Sequence, residues 1–212
     1  MKNIPLFTTM HGVASIILEG IPFNKTAYIR IQTSSDPALL CSDCIDFCRA
    51  AGAETIYAMG HSPSRKTMPD FTIIRMKRDR ITLPLINTQL VAVDKENFTE
   101  FRRLYNQRMK EISAVSYVSV ADLNNLLKKN NGYFIYQDAE MIGIGIADEV
   151  WIRTIISLKP GKGEAVLLSL NTVLEGNEVC VELVDNNLPA KRLYERMGFQ
   201  YYETVSEWYK IY

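Results

Sequence analysis

A strand, helix and strand pattern that occurs twice is the feature that most constrains the fold of this chain. The two copies span residues 29–59 and 152–184, and each has an apolar helix that ends near a glycine, Gly52 or Gly176. Two strands joined through a helix normally form a right-handed crossover and lie parallel. The pattern therefore predicts an α/β chain with two parallel strand pairs, and the matched spacing indicates an ancient duplication.

Hydrophobic periodicity extends each copy into a larger set of elements. In the first half, Asp36 and Pro37 mark the start of the helix, and the order of elements is β-β-α-β-β. The strands predicted there are 14–19, 26–32, 54–59 and 71–75. In the second half, the predicted strands are 90–93, 133–137, 141–147, 150–157 and 178–184, and the predicted helices are 98–112, 119–129, 163–175 and 188–197.

Charge and composition exclude several classes of protein. The 212 residues are 47% hydrophobic and 23% charged, which is the balance of a folded globular protein. Lys plus Arg and Asp plus Glu number 24 each, so no overall basic field draws the chain to nucleic acid or to a membrane. The longest apolar stretches, 13–18 and 141–147, are far shorter than the ~20 residues that span a bilayer. Because no unbroken apolar stretch follows Lys2, we expect a cytoplasmic protein.

Two short charge runs have simple structural explanations. The run 77–80 is predicted to be a solvated strand end, and the run 191–196 is predicted to be the polar face of a short helix. Neither run supports nucleic-acid binding.

Three of the four cysteines lie on one face of the first predicted helix. Cys41, Cys44 and Cys48 follow helical spacing, and free cysteine packs as a small apolar side chain. A zinc site would need a second cluster of ligands. The remaining candidates, none of them paired at ligand spacing, are Cys180, His11 and His61. We therefore predict that the cysteines pack in the core and bind no metal, with a metal site as the alternative.

A glycine-containing turn, 161–163, separates a predicted strand from a predicted helix. The first amides of a helix and its dipole attract phosphate oxygens, and glycine lets the backbone approach a ligand closely. The turn does not match the phosphate loop of nucleotide hydrolases, and the segment 143–145 does not match a dinucleotide fingerprint. The alternative is that the glycines form only a tight turn.

The segment 186–199 predicts a short helix that Asn187 caps and Gly198 ends. Tyr194 lies two turns after Asn187 and therefore on the same face of this helix. A tyrosine hydroxyl can donate a proton to a leaving group. The alternative is that Tyr194 and Phe199 are core aromatic residues, which is the more common role of such side chains.

Asn187, Ala190, Tyr194, Gly198 and Phe199 together resemble the closing motif of the GNAT superfamily of N-acetyltransferases. The preceding strand, glycine turn, apolar helix and strand stand in the order of that family, and the resemblance covers residues 90–212. It implies an α/β (α+β) fold with a mixed, strongly twisted sheet flanked by helices. In that family, acetyl-CoA binds where two central parallel strands splay apart.

The resemblance also implies site residues. Tyr194 matches the general acid that protonates the leaving CoA thiolate, and Asn187 matches a polar residue in the cofactor channel. Backbone groups of Ile156, Ser157 and Leu158 would bind the pantetheine arm. The pyrophosphate of acetyl-CoA, the implied co-substrate, would bind to the amides of Gly161, Lys162, Gly163, Glu164 and Ala165.

Two features depart from the pattern of the family. Pro160 stands where the pyrophosphate loop of the family usually has Arg or Gln, and the loop is shorter than usual. The N-terminal half lacks the glycines of that loop and has no match to the closing motif after Met59. We therefore predict a degenerate, smaller β-β-α-β-β unit over residues 1–85 and an acetyltransferase-like domain over residues 86–212.

Amine acetylation also needs a group that accepts a proton, and Glu182 is the first candidate for this general base. It lies on the strand expected to border the cleft, between the apolar residues Val181 and Leu183. Strand alternation could equally direct it to solvent or to an arginine. The other candidates are Glu149 and Asp185.

The main hypothesis is an N-acetyltransferase that moves an acetyl group from acetyl-CoA to a primary amine of a small molecule or peptide, through a tetrahedral intermediate. The first rival is a non-catalytic member of the same fold that binds acyl-CoA or a protein partner. The second is a purely structural tandem with no ligand. Nucleic acid and membranes are not expected partners. A homodimer formed by pairing of exposed edge strands stays an alternative, because open sheets commonly have such edges.

Overall fold

The computed structural model describes residues 4–60, 68–80, 86–110, 112 and 116–212. Its strands are β1 (Leu6–Thr9), β2 (Gly12–Ile17), β3 (Thr26–Ser34), β4 (Thr55–Met59), β5 (Phe71–Asp79), β6 (Gln89–Ala92), β7 (Gly132–Gln137), β8 (Glu140–Asp148), β9 (Trp151–Ser157), β10 (Glu178–Val184) and β11 (Gln200–Lys210). Its helices are α1 (Ile21–Asn24), α2 (Pro37–Ala50), α3 (Phe98–Met109), α4 (Leu123–Lys129), α5 (Gly163–Asn171) and α6 (Leu188–Arg196), with a 3-10 turn, Val120–Asp122, before α4.

The chain divides into two compact units. Unit 1 comprises Met1–Ile73, Lys110–Tyr117 and Thr204–Tyr212, and unit 2 comprises Ile74–Met109 and Val118–Glu203. Strands β5 and β11 contribute residues to both units. The domain boundary expected after residue 85 stays a prediction, because residues 81–85 lie outside the described part of the chain.

Unit 1 contains a sheet in the order β1-β2-β3-β4-β11. β3 and β4 are parallel, as the sequence predicted, and the other neighbours are antiparallel. The helix α2 covers β2 and β3 with an apolar face. Its start is capped by the Asp36 side chain, which accepts hydrogen bonds from the amides of Ala38 and Leu39 at 3.1 Å each. The predicted cap of this helix is confirmed.

Unit 2 contains a sheet in the order β5-β10-β9-β8-β7-β6. β9 and β10 are parallel, and the pairs β6–β7, β7–β8 and β8–β9 are antiparallel. The helix α5 packs on β8 and β9, and its buried residues form one apolar core with side chains of β10 and α6. On α3, the Phe101 ring packs edge-on against Phe134 of β7 at 5.6 Å.

Two glycines of β8 let α5 lie close to the sheet. A Cβ atom at Gly143 would lie 2.4 Å from Cγ2 of Val166, and one at Gly145 would lie 2.4 Å from Cδ1 of Leu170. Such distances leave no room for a side chain. These two positions therefore fix how deeply α5 sits on the strands that carry the candidate site.

Four elements differ from the sequence prediction. β1 and β11 were not predicted, and α1 lies between the first two predicted strands, where no helix was predicted. The strand β5 runs on to Asp79, and the prediction that 77–80 is a solvated strand end is wrong at Arg78, which is buried. None of the helices in the described part of the chain is long and apolar enough to cross a membrane.

Candidate functional site

The parallel strands β9 and β10 of unit 2 pair at only one end. Cys180 is opposite Trp151 and Val181 is opposite Ile152, and within the described residues the register continues no further. β9 runs on to Ser157 without β10 as a neighbour at those positions. The two strands therefore separate, and a gap opens between their carboxyl ends.

A bulge in β9 lies where the strands separate. Ile146 of β8 is opposite Thr154, and Ala147 is opposite Ile152, so Arg153 is an extra residue that lies opposite no residue of β8 in the ladder. A bulge bends its strand and increases the local twist. The bend gives a local cause for the gap, and a gap at the carboxyl ends of parallel strands is a common place for ligands to bind.

The amino end of α5 opens beside this gap, because α5 follows β9 through the turn 158–162. Gly161 has a φ of +75°, a conformation that favours glycine. The cap residue Lys162 forms no side-chain bond to the helix, and its Nζ donates to Oε1 of Gln137 at 3.0 Å. The first amides of a helix have no partner within it and carry the positive end of its dipole. Those of 163–165 can therefore bind an anion.

The backbone predicted to hold the pantetheine arm lies at the end of β9. The Leu158 amide donates to the Ile142 carbonyl at 2.9 Å and so belongs to the ladder with β8. By alternation, the backbone groups of Ile156 also point to β8, and those of Ser157 point to the gap. The structure thus brings these residues and 161–165 together at the start of α5. Their role in cofactor binding stays a prediction.

Asn187 caps α6, the helix that follows β10. Its Oδ1 accepts a hydrogen bond from the Ala190 amide at 3.3 Å, so the side chain has a structural task. α6 also lies against the start of α5, since a Cβ atom at Gly163 would be 3.3 Å from Cδ2 of Leu193. The expectation that Asn187 lines a cofactor channel stays a prediction.

Tyr194 follows Leu193 on α6 and is buried in the core of unit 2. Its ring lies 5.6 Å from the ring of Phe199. Burial raises the pKa of the Tyr194 hydroxyl well above its ordinary value. The hydroxyl therefore keeps its proton at neutral pH, which a core aromatic residue and a general acid both require.

Glu182 is the first residue of β10 beyond the last pair with β9. Val181 and Leu183 belong to the apolar core that contains Tyr194. Because neighbouring residues of a strand point to opposite faces, Glu182 lies on the other face of the sheet from Tyr194. An acid and a base that reach the gap from the two faces would lie on either side of a substrate in it.

The sequence did not reveal the partner of Glu182, which is Arg75 on β5. The Arg75 Nε and Nη2 donate to Oε1 of Glu182 at 3.2 and 2.7 Å, and Nη1 bonds Glu203 of β11. The Arg75 guanidinium also lies 4.8 Å from the ring centre of Trp151, whose ring contacts Arg153 as well. The alternative that strand alternation directs Glu182 to an arginine is therefore the one that the structure shows.

The two other candidates for the base lie at opposite ends of the site. Glu149 has a φ of +52° in the turn between β8 and β9, before β9 begins, and it lines a polar cleft with Lys129 and Glu175. A strand the length of β9 spans about 20 Å, so Glu149 lies far from the start of α5. Asp185 directly follows β10, on the side of the gap.

Cys41, Cys44 and Cys48 pack in the core of unit 1, as predicted. Burial raises the pKa of Cys44 to about 12 and that of Cys48 to about 11. No group of three or more His, Cys, Asp or Glu residues that could hold a metal occurs in the described ranges. His61 lies outside these ranges.

Comparison with solved structures gives the class of fold. No protein-family model matches the sequence, and no curated protein matches it. A GCN5-related N-acetyltransferase from Anabaena variabilis superposes with a TM-score of 0.62 at 12% identity, over 93% of this chain and 58% of that one. An acetyltransferase described as putative, from Pyrococcus horikoshii, gives a TM-score of 0.56 at 13% identity, over 95% and 69% of the two chains.

A third structure matches over nearly its whole length. It is a conserved protein of unknown function from Staphylococcus epidermidis, with a TM-score of 0.57 and 10% identity, over 98% of this chain and 93% of that one. The chain therefore has the fold of the GNAT acetyltransferases, a mixed sheet flanked by helices. The fold and the resemblance predicted from the sequence are confirmed.

Proposed function

We propose that this chain is an acyl-CoA-dependent N-acetyltransferase that acts on a primary amine of a small molecule or peptide. The observation that carries the proposal is the separation of β9 and β10 beside the uncapped start of α5. Acetyl-CoA would supply the acetyl group as an activated thioester. The residues of the chain would bind its pyrophosphate, orient the acetyl group in the gap and move two protons.

The start of α5 fits a pyrophosphate. The amides of 163–165 lie at the positive end of the helix dipole, and Lys162 adds a cation at the same place. Pro160 has no amide hydrogen to offer, so the turn supplies fewer donors than a longer loop would. We therefore expect binding that depends strongly on the α5 amides themselves.

Tyr194 would act as the general acid. Its raised pKa keeps the hydroxyl protonated, so it can give a proton to a thiolate that leaves at the gap. Its ring is held by the core of unit 2 rather than by loop residues, which favours a fixed orientation.

Glu182 would accept the proton of the attacking amine. Its carboxylate lies at the point where β10 leaves β9, on the face opposite to Tyr194. The ion pair with Arg75 holds the carboxylate in place, while Glu203 shares the charge of that guanidinium. If Glu182→Gln leaves both the rate and its pH profile intact on a true substrate, another base serves the reaction.

The rival function is a non-catalytic member of the fold that binds acyl-CoA or a protein partner. Two observations favour it: Glu182 is engaged by Arg75, and Pro160 reduces the number of donors in the turn. Such a protein would keep the gap and the open start of α5 without transferring an acetyl group.

A thermal unfolding scan with acetyl-CoA, free CoA and ATP tests the proposal. A ligand at 100 times its dissociation constant adds about 2.7 kcal/mol to the stability of the folded state. A shift with both CoA species and none with ATP, followed by transfer to a member of an amine panel, supports an acetyltransferase. Binding without transfer to any amine favours the rival. No shift at millimolar acetyl-CoA would mean that the shortened turn no longer binds the pyrophosphate, which contradicts the acetyltransferase and favours a non-catalytic member of the fold.

A further inference from the structure

Arg78 on β5 is a buried cation with no carboxylate partner among the described residues. It is 7% exposed. Its Nη1 donates to the Met197 carbonyl at 2.8 Å and its Nη2 donates to Oδ1 of Asn171 at 3.1 Å, while its buried Nε has no hydrogen-bond partner in the described part of the chain. Burial lowers the pKa of the Arg78 guanidinium. Apolar residues of similar volume are often as stabilising as such a group, so stability alone gives no reason for an arginine here.

The two acceptors of Arg78 are the carboxyl ends of two helices. Asn171 is the last residue of α5, and Met197 is the residue that ends α6. Helix carboxyl ends carry partial negative charge, so they offset the charge of a guanidinium between them. α5 carries the proposed anion site at its other end, and α6 carries Tyr194.

Two short chains of contacts connect Arg78 to Tyr194. The first is the backbone, because Arg78 binds the Met197 carbonyl and the amide of the same residue donates to the Tyr194 carbonyl at 3.1 Å. The second is a stack of side chains, in which the guanidinium lies 4.8 Å from the ring centre of Phe199 and that ring lies 5.6 Å from Tyr194. Both routes act on the same turn of α6.

We propose that Arg78 is a positioning residue that joins the carboxyl ends of α5 and α6 and thereby fixes the ring of Tyr194. The catalytic part of this inference rests on the proposed function. A general acid must lie within hydrogen-bond reach of the atom it protonates, and a displacement of about 1 Å can cost about 100-fold in rate. A rigid link between the two helices would hold that distance.

The first test needs no activity. The protein is labelled with 3-fluorotyrosine, and the ¹⁹F resonance of Tyr194 is identified by its loss in Tyr194→Phe. In Arg78→Met we expect this resonance to move or broaden by more than its linewidth, with the other assigned tyrosines unchanged. Arg78→Lys, which keeps the charge but not the fork, should give a smaller change.

The control is Arg80→Met. Arg80 is exposed and also donates to a backbone carbonyl, that of Gly176, but none of its bonds in the described residues reaches α6. It should leave the Tyr194 resonance in place. If Arg78→Met does not fold, Arg78→Lys carries the test. An unchanged Tyr194 resonance in the folded Arg78 variant would overturn the positioning role whether or not the protein is an enzyme.

The second test concerns catalysis. Arg78→Met should lower kcat about tenfold or more while the Kd of acetyl-CoA changes less than about threefold. In a Tyr194→Phe background, the same substitution should change kcat less than about twofold, since residues that act through one another are not additive. If the fold-change in kcat of the double variant equals the product of the two single fold-changes, Arg78 does not act through Tyr194. A shifted resonance in a protein with no transferase activity would retain the link and remove the proposed function.

Discussion

The β3-α2-β4 segment of unit 1 and the β9-α5-β10 segment of unit 2 have the same order of elements but differ where the helix begins. In unit 1, the Asp36 carboxylate accepts hydrogen bonds from two amides of the first turn of α2. In unit 2, Lys162 at the start of α5 forms no such bond. One helix start is already occupied by an anion of its own chain, and the other is open to an anion from solution.

The strands of the two segments differ in the same direction. β3 and β4 pair from Thr26 opposite Thr55 through to Ile29 opposite Ala58. β9 and β10 pair at two positions and then separate at a bulge. A shared topology therefore does not give the two segments the same local structure: the cap residue and the bulge make the difference.

The largest expected effect concerns Tyr194, which has no counterpart after Met59 in the sequence. Tyr194→Phe should lower kcat about 100-fold, because general-acid assistance contributes at least that much. The Kd of acetyl-CoA should stay the same. Steady-state rates with an amine from the panel, alongside a binding titration, check this. Tyr201→Phe, at an exposed tyrosine, is the matched control. Unchanged turnover in Tyr194→Phe would remove the tyrosine from the mechanism.

A second substitution gives unit 2 the cap of unit 1. In Lys162→Asp, the new carboxylate should bond the first amides of α5 and repel a pyrophosphate, so acetyl-CoA should bind about tenfold or more weakly. The free energy of unfolding should rise by about 1 kcal/mol. Calorimetric titration and urea unfolding measure the two effects. In Lys162→Ser, the hydroxyl can accept hydrogen bonds from the first amides of α5 without adding a charge. This variant therefore separates the effect of capping from the effect of charge repulsion. Equal affinity in all three proteins would place the pyrophosphate elsewhere.

The converse substitution removes the cap of unit 1. Asp36→Ala should lower the free energy of unfolding by about 1 kcal/mol, which is the usual contribution of an N-cap. It should not create a second acetyl-CoA site, because β3 and β4 stay paired and Pro37 offers no amide. Asp46→Ala, at an exposed position of the same helix, is the control. A binding stoichiometry of two in Asp36→Ala would mean that the cap alone keeps acetyl-CoA from unit 1.

The smallest expected effect is on the pH dependence. Since burial raises the pKa of Tyr194 above its ordinary value of about 10, the hydroxyl loses its proton only as the pH rises beyond that value. The ratio of wild-type to Tyr194→Phe turnover should therefore change less than about twofold between pH 7.5 and 9.5. The ratio cancels the titration of the amine substrate. If the ratio decreases as the pH rises from 7.5 to 9.5, the pKa of Tyr194 is lower than burial predicts and its hydroxyl is exposed to solvent.

The same shift has a consequence for stability. The folded protein favours the neutral Tyr194 hydroxyl. The contribution of this hydroxyl to the free energy of unfolding is therefore present below the pKa of about 10 that it has in the unfolded chain, and it is lost as the pH rises through the pKa of the folded state.

Much of the fold could be predicted from the sequence because proline, glycine and capping residues mark the ends of the helices. Asp36 with Pro37 and Asn187 with Gly198 are signals of this kind, and the structure confirms both. β11 escaped prediction because its residues are exposed over most of its length and show no alternation. Arg78 was predicted to be exposed because a charged side chain in a strand indicates a position facing solvent unless its hydrogen-bond acceptors are known. Those acceptors come from helices that begin far along the chain.

The candidate site could be predicted only in part. The turn 161–163 and Tyr194 carry local signals, one from helix chemistry and one from the resemblance. The pairing of Arg75 with Glu182 joins residues 107 positions apart, and no local pattern encodes it. The bulge at Arg153 was also invisible, since it depends on the register with β8.

The strand β11 has a consequence for how the chain is made. It contributes residues to both units and follows the other described strands and helices of both units in the sequence. Until it emerges, β4 lacks the neighbour that it pairs with at Met59, and an unpaired strand edge is a template for aggregation. Neither unit can be completed before residues 200–210 have been synthesised, at about 5–20 residues per second. Nascent chains stalled before residue 200 should therefore remain dependent on chaperones.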